Sequence, residues 1–308
     1  MTPSEIPRVA DVNQIKHIHF GCVAIFSSTG LLISLVEFRP FTTMSEVEVH
    51  QWDELSKLLF GERKCTNPIA TNGESLEGFM FTIGWHKCST KNEQFGIHGS
   101  LGKIENAKDE WQDQESNLSS VGCILGQSLR YFWDKLFQKI QTCYKSLGVP
   151  SVDQVNYEAN ISENQVAFEF ASVLTFTMNR FKNSPHLDKD ELLYSLGWWF
   201  EADKRTSGIQ RDASKQCTGG KLIFPNAHFW IDLPECHGLI QAVWVSITFF
   251  HYTDPEQDNE SPTLVGMSTQ CSRRLAKTMW QKIHSYYELG EGAGYHIRDG
   301  NTISSHLE

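Results

Sequence analysis

The sequence lacks the patterns that mark a metal ribbon, a membrane span or a secretory signal. Its eight cysteines are spread singly, with no C-x-x-C pair, so neither a zinc ribbon nor a thioredoxin-like motif is supported. No apolar run is long enough to cross a membrane, and the polar stretch from Met1 to Gln14 lacks the basic-then-apolar layout of a signal peptide. Scattered thiols are typical of a reducing compartment. We therefore expect a nuclear or cytoplasmic protein, with neither a membrane partner nor a disulfide-linked partner.

Basic residues are in the minority. The chain has 27 Lys and Arg against 37 Asp and Glu, which gives a formal net charge of −10. This balance argues against a general electrostatic grip on nucleic acid, which requires clustered basic residues. A local basic groove stays open, because the net charge says nothing about individual faces.

The first half of the chain carries two clear helix patterns and a hairpin pattern. Residues 20–38 predict a β-hairpin around a Ser-Ser-Thr-Gly turn. A short helix follows, with Ser45 and Glu48 spaced as a capping box. Apolar residues three and four apart predict a longer helix from about Asn117 to Leu147, which Gly148 terminates. We interpret the apolar stripe of this helix as core that packs against a sheet.

From Val166 onward the pattern changes to short apolar strands separated by turn signals such as Gly219-Gly220. A helix at about 272–287 follows them. Regular strands with such turns favour a sandwich or barrel, so we predict a mostly helical first half packed on a β-rich second half. The predicted strands of this second half are residues 166–178, 192–200, 221–224, 229–233, 239–250 and 263–269, and one further strand is predicted in the first half at 77–85.

The segment NSPHLDKDE, residues 183–191, is the sharpest chemical signal. Side chains alternate along a strand, so His186 and Asp188 project to the same side and offer an imidazole and a carboxylate to one metal ion. A second histidine from a distant strand would complete a two-His-one-carboxylate triad, which leaves metal positions open for other ligands. The competing interpretation is a chance match, because the chain has 12 histidines.

Three downstream histidines are candidates for the third ligand. His228 and His237 lie in turn-like sequence, which favours turn or surface roles for both. His251 follows a predicted strand. In a jelly roll the last ligand returns on a late strand that pairs near the first, and His251 fits this requirement best.

At these residues the chain resembles the TET-like 2-oxoglutarate/Fe(II) oxygenases abundant in basidiomycete fungi, relatives of the TET/JBP nucleobase oxygenases. The likeness extends from about residue 20 to 285. Its blocks are FGCVAIFSSTGLLISLVEFRPF, FGIHGS, FTMNRFKNSPHLDKD, GGKLIFP, FFHYTD and GMSTQCSRRL.

The resemblance implies an α+β fold whose centre is a double-stranded β-helix (jelly roll) buttressed by helices. It also implies Fe(II) held by His186, Asp188 and His251, with 2-oxoglutarate as co-substrate. We then expect four parts: a polar tail at 1–19, an α+β portion at 20–160, the jelly-roll oxygenase core with its closing helix at 161–290, and a C-terminal tail at 291–308.

The resemblance also implies roles for residues around the metal. Ser268 is a 2-oxoglutarate candidate, and a likeness of NRFKNSPHLDKDE to AlkB-type repair dioxygenases makes Asn179 a further 2-oxoglutarate candidate and Asp190 a substrate-base candidate. The alternative for Asp190 is a solvated strand-end carboxylate. The family has an Arg that pairs with the distal carboxylate of 2-oxoglutarate, but this sequence has Leu264 there. A buried carboxylate without a cation or several donors is costly, so something must replace that Arg.

Three cations are possible replacements for the family Arg. Arg273 and Arg274 lie just downstream, and we take Arg273 as the candidate for binding 2-oxoglutarate. Strand alternation makes Lys221 point away from the site.

By resemblance the substrate is a methylated nucleobase in DNA, 5-methylcytosine or N6-methyladenine. Such an enzyme holds the extruded base between aromatic side chains, and Trp198, Trp199, Phe200 and Trp230 are available, although such residues are more often core. Two alternatives stay open. One is a catalytically degenerate oxygenase fold that acts as a binding or regulatory module or is an inactive mobile-element copy, which Leu264 favours. The other is a cupin-like metalloenzyme of another reaction class.

Overall fold

A computed structural model of the chain describes residues 17–69, 75–87, 93–157, 168, 170–257, 262–269, 271–284 and 296–307. Within these ranges the chain is a mixed α and β protein with two sheets. The larger sheet has nine strands, in the order β13-β5-β4-β6-β12-β7-β10-β3-β2, and the smaller has four, in the order β1-β9-β8-β11. The strands are β1 (His17–Ile18), β2 (Cys22–Phe26), β3 (Leu32–Pro40), β4 (Ser75–His86), β5 (Glu93–Ile97), β6 (Val173–Asn183), β7 (Ser195–Asp203), β8 (Gly219–Phe224), β9 (Phe229–Asp232), β10 (Gly238–Trp244), β11 (Tyr252–Glu256), β12 (Pro262–Thr269) and β13 (His296–Arg298).

Five α-helices lie in the same ranges. They are α1 (Glu46–Cys65), α2 (Leu101–Glu105), α3 (Lys108–Leu147), α4 (Arg273–Ile283) and α5 (Gly300–Leu307). Among these, no helix is both long and apolar enough to cross a membrane.

The hairpin and the capping box predicted near the N-terminus are both present. Strands β2 and β3 pair antiparallel, and Gly30 in their turn has φ +81°, a conformation that glycine adopts without steric cost. At the start of α1, Ser45 Oγ accepts from Glu48 N at 3.3 Å, while Glu48 Oε2 accepts from Ser45 N at 3.0 Å. The reciprocal bonds satisfy two backbone donors that the first turn of a helix leaves free.

Helix α3 is longer than its apolar pattern predicted. It begins at Lys108, nine residues before the predicted start, and its φ/ψ values break at Trp133 (φ −154°, ψ 81°), where the helix is kinked. The first turns read KDEWQDQES and are mostly polar, so a pattern that detects only a buried stripe misses them.

The first half contributes more strand than the sequence indicated. Strands β2 to β5 join the same nine-stranded sheet as β6, β7, β10 and β12, with β4 against β6 and β3 against β10. The description of this half as mostly helical was therefore incomplete. Its helices pack against one face of a sheet to which it also supplies four strands.

Two hydrophobic clusters lie on opposite faces of the large sheet. The first packs residues of α1 and α3 against the sheet, and the second fills the space between the two sheets. Neighbouring residues of β7 show the alternation: Trp198 belongs to the helix-side cluster and Trp199 to the cluster between the sheets. The predicted metal ligands lie at one end of this second layer.

Candidate active site

A distortion at the end of β6 turns the chain out of the large sheet. Asn179 and Arg180 both have left-handed backbones, with φ of 60° and 62°, and their N–H groups donate to Thr263 Oγ1 at 3.0 Å and to Glu256 Oε1 at 3.1 Å. Opposite them, Gly78 has φ +69°, and a Cβ there would lie 2.6 Å from the backbone N of Phe181. The irregular pairing lets the strand end at Asn183, so the following residues cross toward the small sheet.

The two histidines of the predicted triad are joined through their backbones. His186 N donates to His251 O, and His251 N donates to His186 O, both at 3.1 Å. Their ring centroids are 4.6 Å apart. This antiparallel bridge connects a segment after β6 to the residue before β11, so side chains 65 positions apart in sequence face the same point.

Asp188 completes the cluster and is almost fully buried, with a relative exposure of 6%. Its backbone N donates to Ser246 O at 3.1 Å. Its Oδ2 lies 3.0 Å from the hydroxyl of Ser195, which is 2.7 Å from the hydroxyl of Ser246. These contacts fix the carboxylate between β7 and the turn after β10.

Backbone carbonyls set the tautomers of both imidazoles. His186 Nδ1 lies 3.0 Å from Ser184 O, and His251 Nδ1 lies 3.1 Å from Phe249 O. A carbonyl oxygen only accepts, so each Nδ1 carries the proton and each Nε2 keeps its lone pair free. Hydrogen bonds of this kind orient histidines that bind metals.

The three free ligand atoms converge. His186 Nε2 and His251 Nε2 each lie 3.6 Å from an oxygen of Asp188, and one ligand atom from each residue lies within 4.8 Å of the others. Two imidazole nitrogens and one carboxylate oxygen are the donor set of non-haem Fe(II) oxygenases. The residues present therefore fit an Fe(II) ion.

Burial controls the protonation of two groups around this cluster. Burial lowers the pKa of His251, and the neighbouring His186 lowers it further, whereas Asp188 acts in the opposite direction. The net lowering keeps the imidazole neutral, as a metal ligand requires. Burial, reinforced by Asp188, raises the pKa of Asp190 to about 8.

A cavity of about 100 Å³ opens beside the three residues. Its lining combines hydroxyl groups, one amide and two tryptophans. The lining residues are Met80, Thr175, Thr177, Phe181, Asn183, His186, Asp188, Trp199, Leu222, Trp244, His251, Tyr252, Thr253, Gly266, Met267 and Ser268.

The structure places the other predicted site residues differently. Ser268 lines the cavity, but Asn179, Asp190 and Arg273 are not among its lining residues. Asn179 is part of the β6 distortion. Asp190 is 5% exposed and lies 3.4 Å from Ser195 Oγ, so it is neither at the cavity surface nor the solvated carboxylate of the alternative interpretation.

Arg273 lies outside the cavity lining. It is exposed, and its Nε donates to the backbone O of Asp190 at 2.9 Å at the start of α4. Arg274 is exposed as well. Lys221 points away as predicted, with its Nζ 5.1 Å from the centre of the Trp230 ring. Leu264 packs in the apolar cluster between the sheets. Within the described ranges, no Lys or Arg lines the cavity.

Several cavity residues carried a weak signal in the sequence. Thr175 and Thr177 alternate with apolar residues in LTFTM, the pattern of a strand with one polar face, but we predicted the segment only as a strand and assigned no role to either threonine. Trp199 was one of four candidate aromatics and is the only one of the four that lines the cavity. Trp244 had no distinguishing pattern in the sequence, and it is the last residue of β10, where it pairs with Ser34 and Ser195.

One other group of potential metal ligands lies in the described part of the chain. His50, Asp53 and Glu54 lie on α1. Lys57 Nζ is 2.8 Å from both carboxylates, so this group is an ion-paired helix surface.

Comparison with known proteins identifies a family. A family model described as the Tet-like 2OG-Fe(II) oxygenase superfamily matches residues 45–256, more than half of the chain. The expected cofactors, Fe(II) and 2-oxoglutarate, are thereby confirmed. No curated protein matches the sequence.

The solved structures that match the chain have low sequence identity to it. A Pseudomonas putida prolyl-4-hydroxylase is 9% identical, with 78% of this chain and 93% of that chain covered and a TM-score of 0.34. A Burkholderia pseudomallei oxidoreductase of the 2OG-Fe(II) oxygenase family is 12% identical, with coverage of 78% and 88% and a TM-score of 0.36. The rice dioxygenase for auxin oxidation is 10% identical, with coverage of 83% and 75% and a TM-score of 0.33.

Proposed function

The chain belongs to the Tet-like 2OG-Fe(II) oxygenase superfamily, and we propose that it is an active dioxygenase that oxidises methylated bases, 5-methylcytosine or N6-methyladenine, in DNA. His186, Asp188 and His251 hold Fe(II) at the end of a double-stranded β-helix whose walls are the two sheets. The observation that carries the proposal is the convergence of two free imidazole Nε2 atoms and one buried carboxylate beside an open cavity.

When bound, Fe(II) with 2-oxoglutarate and O₂ supplies the oxidising power for attack on an unactivated C–H bond. The residues of the chain have three tasks around it. The carbonyls of Ser184 and Phe249 keep both imidazoles in the metal-binding tautomer. Ser195 and Ser246 hold the carboxylate of Asp188. Phe181, Leu222 and Trp244 give the cavity apolar walls that exclude water from the reacting atoms.

The choice of a nucleobase rests on the family and on the aromatic lining. A base must leave the duplex to reach a cavity of this kind and is then held against flat side chains. Trp199 and Trp244, whose ring centroids are 6.0 Å apart, provide such surfaces in the cavity.

The experiment is incubation of Fe(II)-loaded protein with 2-oxoglutarate, ascorbate, O₂ and oligonucleotides that contain 5-methylcytosine or N6-methyladenine. Nucleosides are then analysed by mass spectrometry. We expect an oxidised or demethylated base with the native protein and none with Asp188→Ala. Succinate formation without any change of either base would reject the nucleobase substrate and keep the oxygenase.

The second candidate is a catalytically degenerate fold that acts as a binding module. The apolar environment of Leu264, where the family has its Arg, is the observation that favours it. Protein that binds iron but forms no succinate with either oligonucleotide would reject the oxygenase and favour this alternative or a metalloenzyme of another reaction class.

A further inference from the structure

No Lys or Arg of the described residues lines the cavity as a partner for the far carboxylate of 2-oxoglutarate, but one lining residue has a donor without an acceptor. The side-chain N–H of Trp244 is buried without a hydrogen-bond partner. Trp199, which is 6% exposed, also lines the cavity. A buried N–H without an acceptor is costly, so the N–H of Trp244, which lines the cavity, indicates a ligand with acceptor atoms.

Two glycines bring the Trp199 indole to its position. A Cβ on Gly197 would lie 2.5 Å from the six-membered ring of Trp199, so only glycine lets the ring lie flat across β7. A Cβ on Gly266, directly opposite Trp199 on β12, would lie 2.8 Å from the indole nitrogen. The Trp199 indole occupies the space that a Cβ at either glycine would take. Its N–H edge faces β12, the strand on which the family Arg would lie.

A hydroxyl group meets the indole nitrogen at the same point. Thr177, opposite Gly266 on β6, places its Oγ1 2.8 Å from the position of the missing Cβ, the same distance as the indole nitrogen. Its present acceptor, Gly266 O, is 3.4 Å away, so this is a weak bond that a better acceptor would replace. Two residues further along each strand, the hydroxyls of Thr175 and Ser268 are 2.6 Å apart and also line the cavity.

We propose that the Trp199 indole N–H and the Thr177 hydroxyl, which converge above Gly266, anchor the far carboxylate of 2-oxoglutarate in place of a cation. The assignment rests on the proposed use of this cavity by an iron-dependent oxygenase. Several neutral donors stabilise a buried carboxylate by hydrogen bonding to its charged form, as a cation does by charge. Trp199 and Thr177 are therefore positioning residues that select the co-substrate.

The test is calorimetric titration of 2-oxoglutarate into Fe(II)-loaded protein without O₂, which needs no turnover. Trp199→Phe keeps the ring and removes only the N–H. We expect its Kd to rise about tenfold, the usual effect of losing one hydrogen bond to a charged group. Thr177→Val, which keeps the shape of the side chain, raises Kd in the same direction.

Two controls separate recognition of the carboxylate from general damage. Trp198→Phe removes an indole N–H that donates to Ser128 Oγ on the opposite face of the sheet, and it leaves the Kd unchanged. 2-Oxobutyrate has the same 2-oxo acid group without the second carboxylate, and its Kd is the same in native protein and Trp199→Phe.

The outcomes are distinguishable. If native protein binds iron but no 2-oxoglutarate, the proposed function itself fails. If native protein binds 2-oxoglutarate and Trp199→Phe binds it equally well, or if the variant loses 2-oxobutyrate to the same degree, only the carboxylate anchor is overturned.

Discussion

At the scale of single residues, the ligand set makes the sharpest prediction. Asp188→Ala removes the only carboxylate of the cluster, so we expect Fe(II) affinity to fall by on the order of a hundredfold or more, beyond the effect of losing a supporting hydrogen bond. The measurement is equilibrium dialysis with iron analysis. His228→Asn is the matched control, because His228 is exposed and its left-handed backbone (φ 56°) suits Asn. Equal iron binding by Asp188→Ala and native protein would contradict the site.

A substitution at Ser195 tests the same metal site with a smaller expected loss of Fe(II) affinity. Its hydroxyl lies between Asp188 Oδ2 and Ser246 Oγ, so Ser195→Ala leaves the carboxylate in place but less firmly held. We expect Fe(II) affinity to fall about tenfold, as for other groups that orient a metal ligand. Equilibrium dialysis measures it, and an unchanged affinity would show that the contact has no part in orienting Asp188.

The buried Glu62, which is not part of the metal cluster, leads us to predict that folding stability depends on pH. Burial, reinforced by Glu115, raises its pKa from an ordinary 4.5 to about 8, and its Oε1 has no hydrogen-bond partner within the described ranges. Between these two pH values the unfolded chain ionises Glu62 while the folded chain keeps it protonated. Folding stability therefore falls as pH rises through this interval, by at most ~1.4 kcal/mol per pH unit from this group.

The measurement is urea unfolding of native protein and Glu62→Gln at several pH values. Gln cannot ionise, so the variant gains stability relative to native protein from pH 5 to 8, whereas the two converge near pH 4.5. The control is Glu110→Gln, since the Glu110 side chain is about half exposed and its pKa is lowered, which leaves its ionisation unchanged over this range. If the free energies of unfolding of Glu62→Gln and native protein changed in parallel with pH, the raised pKa of Glu62 would be contradicted.

At the scale of elements, a buried polar chain attaches α3 to the large sheet. Trp198 Nε1 donates to Ser128 Oγ at 3.2 Å, Ser128 Oγ donates to Gln241 Oε1 at 2.7 Å, and Gln241 Nε2 donates to Glu37 Oε2 at 2.5 Å. Ser128→Ala leaves a buried donor and a buried acceptor without partners. We expect the free energy of unfolding to fall by about 2 kcal/mol.

Chemical denaturation measures this loss, and Ser120→Ala on the same helix is the control, because the exposed Ser120 hydroxyl bonds only the carbonyl of Asn117 in its own helix. Equal stability of Ser128→Ala and Ser120→Ala would show that these buried hydrogen bonds do not stabilise the packing of α3 on the sheet.

The elements also show what the sequence could predict. The β2–β3 hairpin and the capping box of α1 are local, so turn residues and side-chain spacing were sufficient. The metal cluster was predicted from H-x-D spacing plus family resemblance, yet His186 and Asp188 lie in an extended segment joined by a single bridge, not in a regular strand.

The remaining features depend on contacts distant in sequence. The joining of β4 to β6 and the placement of Trp199 over Gly266 result from pairing between strands far apart in the chain. Arg273 was assigned to the co-substrate because it is close in sequence to Leu264, but its contact with Asp190 O holds it at the start of α4, outside the cavity lining.

At the scale of the whole molecule, charge makes a prediction about DNA. The net charge is −10, and no Lys or Arg lines the described cavity. Binding should therefore neutralise few phosphates, with a log Kd against log salt slope below about 3. Fluorescence anisotropy with a methylated duplex at several salt concentrations measures the slope. A steep slope would instead require a basic groove elsewhere on the protein.

The most direct test of the central claim is conversion of 2-oxoglutarate to succinate by Fe(II)-loaded protein with ascorbate and O₂, in native protein and His186→Ala. Our account predicts succinate that depends on iron and disappears in the variant, because one of two converging imidazoles is lost. Native protein that binds iron at His186, Asp188 and His251 but forms no succinate would contradict the oxygenase. The binding module and the metalloenzyme of another reaction class would then remain.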